Sequence, residues 1–325
     1  MSELRYHPFL DQWVITATHR QDRTFFPPPD YNPLAPTKPG GFPTEIPFPE
    51  YDVVVFQNKF PSLSLTPPNP AVPGTELMPV RPAAGACEVV CYSQDPNTSF
   101  AQMPFLQVRK LVRVWKDRYL SLAAHPEIEY IFIFENKGKE IGVTLSHPHG
   151  QIYAYPFIPP ILAIELAAEQ RHFERTGRPL MEEVLEASAA PNAVNGENQI
   201  IVENDSAVAF IPFFARYPYE VYVAPKAHRR SLGEMNDAEL DGFGEVLQVV
   251  AQKYDRLFGF SMPYVMAMHQ APTAAGYEST WLHVEFYPPY RTATKLKYLA
   301  GSEAGAGAYI NDTLPEVTAK TLREV

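Results

Sequence analysis

Cysteine is nearly missing from this 325-residue chain; Cys87 and Cys91, in GACEVVCYS, are the whole complement. The segment reads as a strand, short, apolar and rich in β-branched residues. An i,i+4 pair on a strand sits about 13 Å apart, whereas a disulfide needs Cα atoms within about 7 Å. No disulfide scaffold is therefore expected, and the two cysteines are predicted to be small buried apolar residues. Long hydrophobic runs are missing too. Stretches such as 128–134 are interrupted by charge and far too short to span a bilayer. The start, MSELRYHPFL, has no basic stretch followed by an apolar one, so no signal peptide is expected and the cytoplasm is the expected compartment. Positive charge is in deficit: the net charge is −10. That argues against nucleic acid or an anionic membrane as partner. It leaves an anionic small substrate open, because a site needs only a few local cations.

Proline, in contrast, is abundant, with 34 residues, many of them in 27–82, as in FFPPPDYNPLAP. This stretch is predicted to be extended coil wrapping a core. It is too aromatic to be simply disordered.

The remainder predicts a duplication. In the first half, strands are expected at 52–56, 75–81, 86–92, 129–134 and 150–156. A helix over 101–122 carries an apolar stripe of Leu106, Val108, Leu111, Val112, Trp115, Tyr119 and Leu122. In the second half, strands are expected at 207–212, 220–224, 263–268 and 282–287. A helix there begins at an Asn236–Glu239 capping box and stops before Gly259. Each half has a strand ending in a polar pair, Glu135–Asn136 or His269–Gln270. Each then has a strand with polar residues at i,i+2, His147–His149–Gln151 or His283–Glu285. The predicted fold class is α+β: two similar halves with antiparallel sheets flanked by helices, divided as 1–178 and 179–325. A helix over 161–176 connects them.

Segment 142–156, GVTLSHPHGQIYAYP, carries the chemistry. If 147–151 is extended, His147, His149 and Gln151 face one way. Pro148 stiffens the step between the histidines, and Gly150 is expected to let backbone approach a ligand. Neutral imidazole can attack phosphorus near pH 7 and later leave. Gln151 can donate to a phosphoryl oxygen yet cannot act as acid or base. His125 and His172 read as surface histidines.

The pattern His-Pro-His-Gly-Gln resembles the histidine-triad superfamily, with Gln151 in the third position. It is similar to the signature of the galactose-1-phosphate uridylyltransferase family. The resemblance extends through HRQDR (19–23), FQNKFPSL (56–63), FENKG (134–138), PKAH (225–228), MHQAP (268–272) and HVEFYPP (283–289). It implies that His149 attacks the α-phosphorus of UDP-glucose, releases glucose 1-phosphate and forms a uridylyl-enzyme. Galactose 1-phosphate then accepts the uridylyl group. The second ring nitrogen of His149 is expected on the carbonyl of His147, and Gln151 on the phosphoryl oxygens. By the same resemblance, Asn58, Phe60, Val89, Asn136, Gly142 and Thr144 line the nucleotide site. Arg20, Arg23, Lys297 and Glu303 face phosphate or sugar. Glu165, His269, His283 and Glu285 hold one structural zinc or iron ion per subunit, with Glu285 where the family has histidine. A homodimer is implied.

The chain departs from this pattern upstream. Many relatives carry Cys-x-x-Cys and a further histidine that bind zinc together with the residue matching His147. Here 35–55 has no cysteine and Pro96 stands in the histidine's place, so that zinc site is expected to be absent. Lys59 stands where relatives often have an acidic residue. Two other functions compete. One is a phosphorylase on the same fold acting on ADP-glucose or a dinucleotide tetraphosphate. The other is a catalytically silent nucleotide-binding protein, against which the His149–Gln151 pair argues.

Overall fold

The computed structural model describes residues 2–23 and 31–325, with the side chains of 22 and 23 outside that description. Strands β1 (Ser2–His7) and β2 (Gln12–Ala17) form an N-terminal hairpin. Then follow β3 (Val54–Gln57), β4 (Val80–Pro82), β5 (Ala86–Cys91), helix α1 (Phe105–Ala123), β6 (Tyr130–Lys137) and β7 (His149–Tyr155). Helices α2 (Pro160–Thr176) and α3 (Leu180–Ala189) lead into the second half. That half contains β8 (Ile200–Glu203), β9 (Ala207–Phe210), β10 (Val221–Pro225), α4 (Asp237–Leu257), β11 (Tyr264–His269) and β12 (His283–Tyr287). A small β13–β14 hairpin (Tyr290–Thr292, Lys295–Leu296) and α5 (Pro315–Glu324) close the chain.

Among the described residues the two halves share one sheet of nine strands, ordered β3-β5-β7-β6-β11-β12-β10-β9-β8, every neighbouring pair antiparallel. The expected α+β class holds, with the halves joined edge to edge through β6 and β11. Within that sheet, Phe134 lies opposite Gln151, Ala267 opposite Glu285, and Phe134 opposite Ala267. A local pseudo-two-fold therefore passes through the Phe134–Ala267 pair. It relates His149, Gln151 and Asn136 to His283, Glu285 and His269. The register thus matches Asn136 alone to His269 instead of aligning the two polar pairs.

Alternation along the strands gives the sheet two different faces. Gly150, Ile152 and Ala154 of β7 point toward the helices, where Ile152 and Ala154 join Ile131, Ile133, Val284 and Phe286 in one apolar core with α1 and α4. The α1 stripe is buried as expected from Val108 onward. Leu106 is exposed, because Pro104 delays the helix to Phe105 and leaves Leu106 in the first turn. Helix α4 begins with the Asn236–Glu239 capping box and is followed by Gly259 at φ 73°.

The opposite face carries the polar residues. Coil 31–53 covers its first half through Leu34, Ile46 and Tyr51, and the beginning of the expected coil, 27–30, lies outside the described residues. Met181 of α3 packs on the second half with Tyr222 and Trp281. The strand expected at 75–81 is only Val80–Pro82, and it pairs with β1 outside the main sheet. Thr75 and Met78 close a turn instead, and Pro79 has no N–H for a ladder. Cys87 and Cys91 are free and fully buried. No helix among the described residues is long and apolar enough to cross a membrane.

Candidate active site

Strand β7 begins at His149 because Pro148 cannot donate to the ladder. His147 thus lies in the bend before the strand, and the expectation that all three polar side chains share a face is corrected. Only His149 and Gln151 line the cavity above the sheet; the His147 ring is 2% exposed and turned away from it. The His149 Nδ1 lies 2.7 Å from the carbonyl oxygen of His147. A carbonyl only accepts, so Nδ1 carries the proton and Nε2 keeps its lone pair. Burial pushes the His149 pKa below the ordinary range, against the opposing pull of that carbonyl. The ring is therefore neutral near pH 7, as a nucleophile must be.

The cavity has a volume of about 420 Å³. Asn58, Phe60, Val89, Asn136, Gly142 and Thr144 all line it beside His149 and Gln151. Asn58 Nδ2 donates to Gln151 Oε1 at 3.4 Å, and Asn58 Oδ1 accepts from the Phe60 N–H at 2.9 Å. Sequence reasoning missed Tyr31, Pro33, Leu34, Glu45, Val143 and Leu145 in the wall, which are coil residues with no periodic signal. Lys59 also lines the cavity, as its cationic member.

The expected phosphate and sugar residues are placed unevenly. Arg20 borders the cavity without lining it, donating to the Phe60 carbonyl at 3.1 Å and to Tyr153 Oη at 3.3 Å. The Arg23 side chain lies outside the described residues. Lys297 and Glu303 pair with each other at 3.1 Å and do not line the cavity.

Gly150 is used differently from the expectation. It faces the helices, and a Cβ there would lie 2.1 Å from Tyr92 Oη. The room its missing side chain leaves is taken by Tyr92 behind the strand.

Three strands across the row Gln151–Phe134–Ala267–Glu285, about 14 Å away at the strand spacing, lies the second cluster. Glu165 of α2 meets His269, His283 and Glu285 there, with one ligand atom from each within 4.8 Å of the others. His269 Nδ1 is 2.7 Å from Glu165 Oε2, and His283 Nε2 is 3.2 Å from Glu165 Oε1 and 3.3 Å from Glu285 Oε1. His283 donates Nδ1–H to the Trp281 carbonyl at 2.9 Å, which turns Nε2 inward. Arg216 and Tyr287 donate to Glu285 Oε2, leaving Oε1 for the cluster. Each residue thus turns one ligand atom inward, and outer partners hold the orientation of His283 and Glu285, which fits a metal ion. Burial disfavours the charged forms, but the mutual attraction wins: Glu165 and Glu285 are pulled below the usual carboxylate range, and His283 is raised to about 9.

His147 has a different set of neighbours: the amide of Asn32, the phenol of Tyr51 and the carbonyl of Ser93. His172, expected at the surface, is buried on α2 beside Arg175.

A doubled α+β sheet with a neutral histidine and an amide opening on a nucleotide-sized cavity defines a nucleotidyltransferase. The family models for galactose-1-phosphate uridyl transferase match nearly the whole chain, the N-terminal domain over residues 1–159 and the C-terminal domain over 165–325. A galactose-1-phosphate uridylyltransferase of Thermotoga maritima is 42% identical over 100% of this chain and 98% of its own. A solved structure described as a uridylyltransferase is 31% identical, with a TM-score of 0.87 over 99% of this chain and 97% of that one. An ADP-glucose phosphorylase of Arabidopsis thaliana with bound ADP-glucose is 25% identical, with a TM-score of 0.74 over 100% of this chain and 99% of that one. The chain belongs to the galactose-1-phosphate uridylyltransferase family.

Proposed function

We propose that this enzyme transfers UMP from UDP-glucose to galactose 1-phosphate through a uridylyl group held on His149. His149 Nε2 attacks the α-phosphorus. The bond to the bridging oxygen breaks, and glucose 1-phosphate leaves with the electron pair. An oxygen of galactose 1-phosphate then attacks the same phosphorus, the P–N bond breaks, and UDP-galactose departs. The observation that carries the reading is the His149 Nδ1–H bond to the His147 carbonyl, which leaves Nε2 as the free nucleophile beside Gln151. Gln151 donates to the phosphoryl oxygen as charge builds there. Asn58, Phe60, Val89, Asn136, Gly142 and Thr144 hold the uridine nucleotide. Arg20 and Arg23 meet phosphate or sugar, and His147 serves through its carbonyl; for Lys297 and Glu303, paired with each other outside the cavity, that role rests on the family resemblance alone.

One structural zinc or iron ion per subunit, held by Glu165, His269, His283 and Glu285, is part of the same proposal. Its role there is to cross-link α2 to β11 and β12. The division into 1–178 and 179–325 also belongs to it, with Glu165 reaching across, as do the homodimer and a cytoplasmic setting.

The test is incubation with UDP-glucose labelled at the α-phosphate and no acceptor, beside labelled ADP-glucose. Stoichiometric glucose 1-phosphate is expected, with the label on His149 and none on a His149→Ala variant. ADP-glucose should leave no label. Release of glucose 1-phosphate only after galactose 1-phosphate is added would contradict a covalent two-step scheme.

A further inference from the structure

The ring of His147 is buried, and both of its nitrogens are engaged. Asn32 Nδ2 lies 2.9 Å from Nδ1. The orientation of that amide is set, because Asn32 Oδ1 accepts the Leu34 N–H at 3.0 Å. The NH2 group therefore faces the ring, and Nδ1 must be an unprotonated acceptor. In the neutral ring the proton is then on Nε2, which lies 2.7 Å from the Ser93 carbonyl, an acceptor only. Tyr51 Oη packs 2.8 Å from the same Nε2 and donates among the carbonyls of Ser93, at 2.8 Å, and Leu34, at 3.1 Å. The ring is thus held in one tautomer by groups from two other segments.

The main chain of this short loop is held as well. Pro148 O accepts from the Tyr92 N–H at 3.0 Å, and His147 O accepts from His149 Nδ1 at 2.7 Å. A rotation of residue 147 would carry that carbonyl away from His149. Among the described residues no other hydrogen-bond partner of Nδ1 would then favour the tautomer that leaves Nε2 free. Asn32 lies between Tyr31 and Pro33, which line the cavity, while neither Asn32 nor Tyr51 lines it. The segment that walls the cavity is thus the segment that grips the His147 ring.

Building on the assignment of His149 as nucleophile, we propose that Asn32 and Tyr51 are positioning residues: through the His147 ring they fix the carbonyl that keeps His149 in its reactive tautomer. They touch neither substrate nor phosphorus. Their effect should appear in the step that forms the uridylyl-enzyme and not in nucleotide affinity.

Asn32→Ala and Tyr51→Phe are the variants, each removing one small polar group. Three quantities are measured: the single-turnover rate of glucose 1-phosphate release from UDP-glucose, the Kd for UMP, and the tautomer of His149 in 15N-histidine spectra. Each variant should slow release by up to about tenfold, the range of one hydrogen bond. UMP affinity should stay within about twofold, and His149 should shift from a single Nδ1–H form to a mixture. Wild-type rates and spectra in both variants would overturn the proposal. So would a rate loss matched by an equal loss of UMP affinity with the tautomer unchanged, since that is damage to the wall alone. His149→Ala in the same assay separates the two claims. If it still releases glucose 1-phosphate, the assignment of the nucleophile fails. If it is inactive while Asn32→Ala and Tyr51→Phe behave as wild type, only the positioning role fails.

Discussion

Adding one methyl group at Gly150 should disable the enzyme from behind the active strand. The new Cβ would sit 2.1 Å from Tyr92 Oη, 3.0 Å from Tyr92 Cζ and 3.0 Å from the Phe134 carbonyl oxygen. Tyr92 cannot give way easily. It is fully buried, packed edge-on against Phe100 and Trp115 at centroid distances of 6.2 and 6.0 Å, and its N–H is bonded to Pro148. Restoring ordinary contact requires a shift of about 1 Å, and a misplacement of that size near reacting atoms costs about 10²-fold in rate. Overpacking of this kind also costs about 1–3 kcal/mol of stability. Gly150→Ala should therefore show roughly 10²-fold slower single-turnover release of glucose 1-phosphate, together with a lower urea midpoint. Tyr92→Phe removes the 2.1 Å contact and leaves the 3.0 Å ones, so the double variant should recover about tenfold of the rate, a non-additive result expected of residues in contact. Full activity in Gly150→Ala, or the same loss with and without the Tyr92 hydroxyl, would refute the steric account.

Two further outcomes are expected. Protein purified without a metal-binding tag should contain about one zinc or iron ion per chain, since a closed site takes about four protein ligands. His283→Ala should lose that ion and lower thermal stability more than it lowers turnover per folded molecule; an ion lost on changing His147 but kept in His283→Ala would place the metal elsewhere. Glu135 is buried between Tyr92 and Tyr264, and burial raises its pKa from 4.5 to about 7, with Lys137 opposing. The folded protein binds this proton more tightly than the unfolded chain, so its contribution to stability falls as pH rises from 4.5 through about 7, by up to about 3 kcal/mol. Glu135→Gln should match wild type near pH 5 and exceed it at pH 8 in denaturant melts. A constant difference across that range would show that Glu135 is charged throughout.

The sequence by itself determined whatever depends on neighbours along the chain. The α1 stripe, the capping box at Asn236, the stop at Gly259 and, β8 aside, the strands of the main sheet, unlike the one expected at 75–81, follow from local sequence, and they were legible. The string His147–Gln151 suited phosphoryl chemistry, and its specific reading came from its resemblance to the uridylyltransferase signature. Only the tertiary structure decided which of those groups face one another. His147 leaves the shared face because Pro148 breaks the ladder before β7, and its partners Asn32 and Tyr51 come from coil 115 and 96 residues away. Gly150 proves to serve Tyr92, on the far side of the sheet, a relation no local pattern encodes. Glu165 reaches the cluster of His269, His283 and Glu285 from a helix more than a hundred residues earlier. Helices α3 and α5 and the β1–β2 hairpin, short elements that owe their stability to what they pack against, likewise escaped the reading. Periodicity is a local property of a chain, whereas a cavity wall is built from side chains that meet only after the sheet has closed the distance between them.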